Sequence, residues 1–400
     1  MIFSLVMAVC VEIGSYAFIL FVHNAKPRLA PFLPYPDFAV FAHRPKAVDE
    51  NEVHTNALNL YNFWYASGYD FGNWHMPYTT AIHNLITKSI TYTSNSHGMR
   101  DRERNDKSSA VRIVFLGDSF VEGVGVADNE RLTNILEKKT GCEVLNFGMG
   151  GNCGTVQQWL IYKHFADVFS HDAVFLGLFP ANDFWDLETT YNYNALLPSK
   201  RPFLEGIYPD YSLVYMGAGL KPPMRPSHTN TVELKRVIFS CFASAHVLNY
   251  IKDKYQGQIP TVPDLHYSGY YDFTQAQWDR FRYSIEQIIA IASPRPLTVF
   301  IFPYYEDYVR FQQEGTKKPP LISNMEEFSM QCGFNFIDLA PYFTAQGDDM
   351  KRFYLFDEGD GHWNADGNKL AAEVVFKSTK KLINELQLNK GLTPVDQITH

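Results

Sequence analysis

Cysteine is scarce, with five in 400 residues, and none forms a Cys-x-x-Cys pair or stands beside clustered histidines. That pattern excludes a structural zinc module. Runs of Lys and Arg are also missing, and the formal charge of -8 with a pI near 5.9 leaves no basic surface for nucleic-acid phosphates. Neither a Gly-x-x-x-x-Gly-Lys-Ser/Thr loop nor a Gly-x-Gly-x-x-Gly turn occurs, which removes the common phosphate cradles. Internal repeats and low-complexity tracts are absent as well.

What is present is material for a large core, since 46% of residues are apolar and 31 Phe and 24 Tyr are available to fill it. Cys10 lies in an apolar segment, and Cys142, Cys153, Cys241 and Cys332 read as buried free thiols or as two disulfides. Residues 1–22 are almost wholly apolar and lack a basic leader and a nearby small-x-small cleavage site. At about 1.5 Å per residue such a run just crosses a bilayer core of about 30 Å, so an uncleaved, single-pass anchor is expected. Glu12 is the exception in it, because a carboxylate at membrane depth costs a few kcal/mol, and the competing reading is a buried helix. Residues 27–46 carry five prolines and read as an extended stalk. Residues 50–92, rich in Trp, Tyr, His and Asn, read as irregular structure packed on the following domain.

From residue 93 to 390, short apolar runs at 111–116, 143–146, 173–179, 297–302 and 334–339 alternate with helical patterns at 129–139, 155–169, 275–292, 324–332 and 365–386. This alternation predicts an α/β domain with one flavodoxin-like, doubly wound parallel sheet, whose chemistry gathers at the carboxyl ends of the strands. Residues 187–275 interrupt the rhythm with prolines, tyrosines and an amphipathic stretch at 232–254, and read as an inserted cap.

Ser119 follows the first run directly in Gly117-Asp118-Ser119-Phe120, where its hydroxyl reads either as a nucleophile or as a cap for the next helix. His362, in Asp360-Gly361-His362-Trp363, supplies the base that a serine hydroxyl needs near neutral pH, with Asp360 to orient its ring; a helix-entry loop or an acidic cation site competes. Donors for a developing oxyanion are offered by the glycine run 146–152, through the Gly148 N–H, and by the Asn182 side chain. Tight turns and local hydrogen bonds are the competing roles.

In the order Ser119, Gly148, Asn182, His362, these elements resemble an SGNH hydrolase of the GDSL esterase and lipase superfamily. Gly117-Asp118-Ser119-Phe120, Asn146-Phe147-Gly148, Asn182-Asp183 and Asp360-Gly361-His362-Trp363-Asn364 match its blocks, and residues 95–101 are similar to a segment of membrane-anchored bacterial members. The resemblance implies Ser119 as nucleophile, His362 as base and Asp360 as its partner. It also implies an oxyanion hole from the Ser119 N–H, the Gly148 N–H and Asn182, no metal or other cofactor, and a domain outside the cytoplasm. Basic residues after the apolar run point the other way. The chain departs from the family where Pro180 and Ala181 precede Asn182, and where Gly359 stands at the usual aspartate position. The Asp-x-His-Trp form resembles the alginate O-acetylation branch, which brings glycan acyl groups forward as substrates. The expected function is hydrolysis of a carboxylic ester; transfer of the acyl group to a glycan, or a non-catalytic glycan-binding or assembly role, are the alternatives.

Overall fold

The computed structural model describes residues 13–15, 17–18, 53–56, 64–150, 153–188, 201–216, 267–347, 349–358 and 360–395. Most of the expected anchor, the proline-rich 27–46, the stretch 232–254 and most of the insertion lie outside the described residues, as do Cys10 and Cys241. Among the described residues, no helix is long and apolar enough to cross a membrane.

The strands are β1 (Val53–Asn56), β2 (Tyr65–Tyr69), β3 (Gly72–His75), β4 (Thr80–Asn84), β5 (Ser89–Thr93), β6 (Arg112–Gly117), β7 (Glu143–Gly148), β8 (Ala173–Leu178), β9 (Arg201–Ile207), β10 (Asp210–Met216), β11 (Leu297–Ile301) and β12 (Asn335–Asp338). The helices are α1 (Ser119–Glu122), α2 (Leu132–Thr140), α3 (Thr155–Phe165), α4 (Pro180–Asp186), α5 (Gln275–Ala292), α6 (Tyr305–Glu314), α7 (Pro320–Cys332), α8 (Ala340–Thr344) and α9 (Ala365–Asn389).

β6 and β8 are buried along their whole length, which is why their sequences are continuous apolar runs: a parallel strand covered on both faces has no solvent side to mark with polar residues. Arg112, at the start of β6, is buried because its guanidinium donates to Glu143 and to the carbonyls of Asp106 and Ser170. The five-stranded sheet has the order β12-β11-β8-β6-β7, with every pair parallel. This is the expected doubly wound topology. From β6 the chain moves outward to β7 and then returns past β6 to β8. The connections therefore diverge between β6 and β8 and leave a crevice at their carboxyl ends. α2 packs on α9, and α3 packs on α5.

Residues 64–93 differ from the irregular segment expected. They form strands whose Trp74, Ile90 and Tyr92, with Trp64 just before β2, belong to the same core as the parallel sheet, so the domain begins well before residue 93. β5 alternates exposed and buried residues along Ser-Ile-Thr-Tyr-Thr, and it pairs antiparallel with β4. Buried histidines at 75 and 83 interrupt the apolar pattern by which those strands would be recognised. Helix bounds shift too. α7 starts at Pro320, since proline at the first helical position loses no hydrogen bond, and α3 stops at Phe165. Cys142, Cys153 and Cys332 are free thiols.

Gly148 marks the tightest approach between the sheet and α1: a Cβ there would stand 2.0 Å from the Glu122 backbone nitrogen and 2.4 Å from the Val121 carbonyl carbon. Neither atom can yield by rotating. Gly148→Ala should destabilise the domain by about 3 kcal/mol, measured as a lower denaturation midpoint; an unchanged midpoint would show that β7 can slide away from α1.

Candidate active site

The chain leaves β6 at Gly117, where a Cβ would sit 2.2 Å from Val121 Cγ2, so glycine lets α1 fold back against the strand. Asp118 caps α1 by accepting the Phe120 N–H at 2.9 Å, and Gly123, at φ +81°, ends it in the left-handed region. Capping is thus done by the aspartate. The Ser119 hydroxyl is free to donate to His362 Nε2, at 2.7 Å. His362 Nδ1–H in turn donates to Asp360 Oδ1 at 2.5 Å, and the His362 backbone N–H meets the same oxygen at 2.8 Å. The short Asp-x-His spacing is what allows this, because a carboxylate two residues upstream closes an Asx-type turn on the main chain while holding the ring. Gly359 lies outside the described residues.

The loop carrying His362 is held at both ends. Asn364 caps α9 by accepting the N–H groups of Asp366 and Gly367, and the Leu355 N–H donates to the His362 carbonyl. Phe120 packs beside the imidazole with ring centroids 5.1 Å apart, and Trp363 is buried beneath. Burial works against protonating His362, but the Asp360 carboxylate outweighs it and raises the ring above its ordinary 6.5. Burial likewise opposes ionisation of Asp360, yet the imidazole beside it holds the carboxyl well below the usual range.

The oxyanion donors are arranged differently from the expectation. The Ser119 N–H meets no acceptor among the described residues. The Gly148 N–H does not point into the crevice: it is donated to Asn146 Oδ1 at 2.9 Å, so Gly148 serves packing and is corrected as an oxyanion donor. The Gly150 N–H is also engaged, by Glu122 Oε2 at 2.5 Å, and residues 151–152 lie outside the described residues. Asn182 stands in the first turn of α4 rather than in a loop, because Pro180 opens that helix. Its amide nitrogen makes a long 3.4 Å contact with Asp118 Oδ2, which leaves it easily redirected. Burial pushes Asp118 up to about 7 against the Phe120 N–H that favours its anion.

Sequence reading missed Glu122, three residues after Ser119 and fully buried. Trp64 Nε1 donates to Oε1 and Tyr65 Oη to Oε2, each at 2.9 Å, while His75 Nε2 lies 3.2 Å from Oε1. His75 Nδ1 faces the Gly98 carbonyl at 2.8 Å, while its Nε2 keeps ion-pair distance from Glu122 without an aligned hydrogen bond. Burial alone would raise the Glu122 carboxyl, but His75 and these donors hold it at about 2. Arg100 adds a second brace, donating to the carbonyls of Glu122, Gly123 and Val126. The available signal was the cluster of Trp, Tyr and His before residue 93, which needed a buried anion to explain it.

No protein-family model matches the chain, and no curated protein matches it. Solved structures similar to it include a lipolytic protein of the G-D-S-L family from Veillonella parvula, at 11% identity and a TM-score of 0.36, covering 67% of this chain and 97% of that one. A lipase/acylhydrolase from Enterococcus faecalis is similar at 11% identity and a TM-score of 0.37, covering 68% of this chain and 96% of the other. At that distance the chemistry has to be argued from this chain's own Ser119, His362 and Asp360.

Because the Glu122 carboxyl sits near 2 in the folded protein against an ordinary 4.5, its stabilisation is complete above about pH 4.5 and is lost as pH falls toward 2. Glu122→Gln should flatten the acid loss of stability over that window, measured by denaturant titration at several pH values. Equal slopes in both proteins would contradict the role given to this carboxylate.

Proposed function

We propose that the protein is a serine-dependent hydrolase of carboxylic esters. The observation that carries this reading is the continuous Ser119–His362–Asp360 hydrogen-bond chain at the crevice between β6 and β8. In the proposed sequence, Ser119 Oγ attacks the acyl carbon as its proton passes to His362 Nε2. The tetrahedral adduct then collapses, the bond to the alcohol oxygen breaks, and His362 returns the proton to the leaving alkoxide. Water repeats the attack on the acyl-serine with His362 again as base, which frees the carboxylic acid and restores the hydroxyl. The Ser119 N–H and a redirected Asn182 amide are the proposed donors to the oxyanion.

The substrate class we propose is a short acyl ester, in particular an O-acetyl group on a glycan. It is supported by the aromatic wall of Phe120, Phe179 and Tyr304 around the base, which suits a small apolar group, and by the Asp360-to-Trp363 spacing that resembles glycan-acetylating enzymes. A sugar hydroxyl admitted in place of water would turn the same sequence into acyl transfer.

His362 acts as base only when neutral. Since its ring is raised above 6.5, kcat/KM should fall on the acid side through a pH above that value. On p-nitrophenyl acetate and an acetylated oligosaccharide, Ser119→Ala should lower kcat by about 10⁶. Asn182→Ala should lower it by about 10² to 10³ with the denaturation midpoint preserved. Full turnover in Ser119→Ala would overturn the proposal, and full turnover in Asn182→Ala would remove that residue from the oxyanion hole.

A further inference from the structure

His83, in the middle of β4, is fully buried and belongs to no step above. Its Nδ1 lies 2.7 Å from Tyr92 Oη, and the same oxygen accepts the Gly125 N–H at 2.7 Å. A phenol oxygen that already accepts from the main chain turns its own hydrogen toward the remaining partner, so Nδ1 is the acceptor. The hydrogen of the neutral imidazole then sits on Nε2. That nitrogen is buried and meets no acceptor among the described residues, so its hydrogen calls for a partner.

The surroundings indicate the partner. The turn between β4 and β5 is fastened to the base-carrying loop, where the Thr87 N–H donates to Glu358 Oε2 at 2.7 Å and the Thr87 hydroxyl donates to Oε1. Gly125, which fixes Tyr92, lies against Leu355, since a Cβ there would come within 2.2 Å of Leu355 Cδ1. Leu355 in turn accepts the Asp360 N–H at 3.0 Å. The hairpin that carries His83 is therefore packed on the loop that carries Asp360. Both His362 bonds use Asp360 Oδ1, and Oδ2 meets no donor among the described residues.

We infer that His83 is a positioning residue for the proposed triad, its Nε2–H reaching Asp360 Oδ2 through one bridging water and so holding the carboxylate in register with His362. The inference rests on the acyl-serine reading for its consequence but not for its geometry. The charged groups whose fields act on His83 are Asp360, His362, Arg100 and Glu122; those acting on His362 include Asp360, Asp118 and Glu122. Burial above all, reinforced by His362 and Arg100 against Asp360, lowers the His83 ring to about 4, so it is a neutral single donor at working pH.

The test compares wild type, His83→Leu, which removes the donor, and His83→Gln, whose amide nitrogen falls near the Nε2 position. Tyr92→Phe keeps the ring but releases its tautomer. In histidine-selective ¹⁵N NMR titrations, His83→Leu should move the His362 titration upward by about half a unit, because an unassisted Asp360 pulls harder on the imidazolium. It should also lower kcat/KM about tenfold. Tyr92→Phe should move His362 the same way, and His83→Gln should restore it. Identical His362 titrations in all four proteins would overturn the inference. Equal displacement in His83→Leu and His83→Gln would also overturn it, since cavity filling and not a donor would then matter. If the wild type cleaves no ester, the acyl-serine reading fails while the ring titration still decides the role of His83.

Discussion

A carboxylate cut off from water must be surrounded by donors, and Glu122 gathers Trp64 and Tyr65 from one part of the chain, His75 from another and the Gly150 N–H from a third. The cost of burying that charge is several kcal/mol, and removing a partner would leave it uncompensated. This constraint orders the site. Glu122 ends the helix that begins with Ser119, so the Ser119 turn, the glycine loop after β7 and the N-terminal strands are tied to one pair of oxygen atoms. Arg100 holds the carbonyls just beyond, which leaves the turn little freedom to tilt.

On this base the parallel sheet does the rest of the positioning. β6 delivers Ser119 and β8 delivers Asn182 to adjacent strand ends, at the point where the winding reverses. His362 arrives from much later in the chain, on a loop locked between Leu355 and the cap of α9. Asp360 connects local and distant order, since one of its oxygens closes the turn that builds the loop and also holds the ring that reaches Ser119.

The sheet could be read in the sequence because strands buried on both faces appear as unbroken apolar runs, and β6 and β8 are such strands. Ser119, Asp360 and His362 were legible for a related reason: each belongs to a local motif whose geometry is set within a few residues. Gly148 was misread because a glycine at a strand end fits both a donor and a close contact, and only the Glu122 backbone beside it distinguishes them. Glu122, His75 and His83 were not legible at all. Their partners lie tens of residues away, and a buried histidine looks the same in sequence as an exposed one. The strands at 64–93 were hidden by those polar residues, which break the alternation that marks a strand.

The central claim is that Ser119 becomes a nucleophile by giving its proton to His362, and peptide mapping after exposure to a fluorophosphonate addresses it directly. The account predicts one adduct, on the peptide containing Ser119, formed by the wild type and lost in His362→Ala. An adduct at another residue, or a folded wild type that takes up no label, would contradict it.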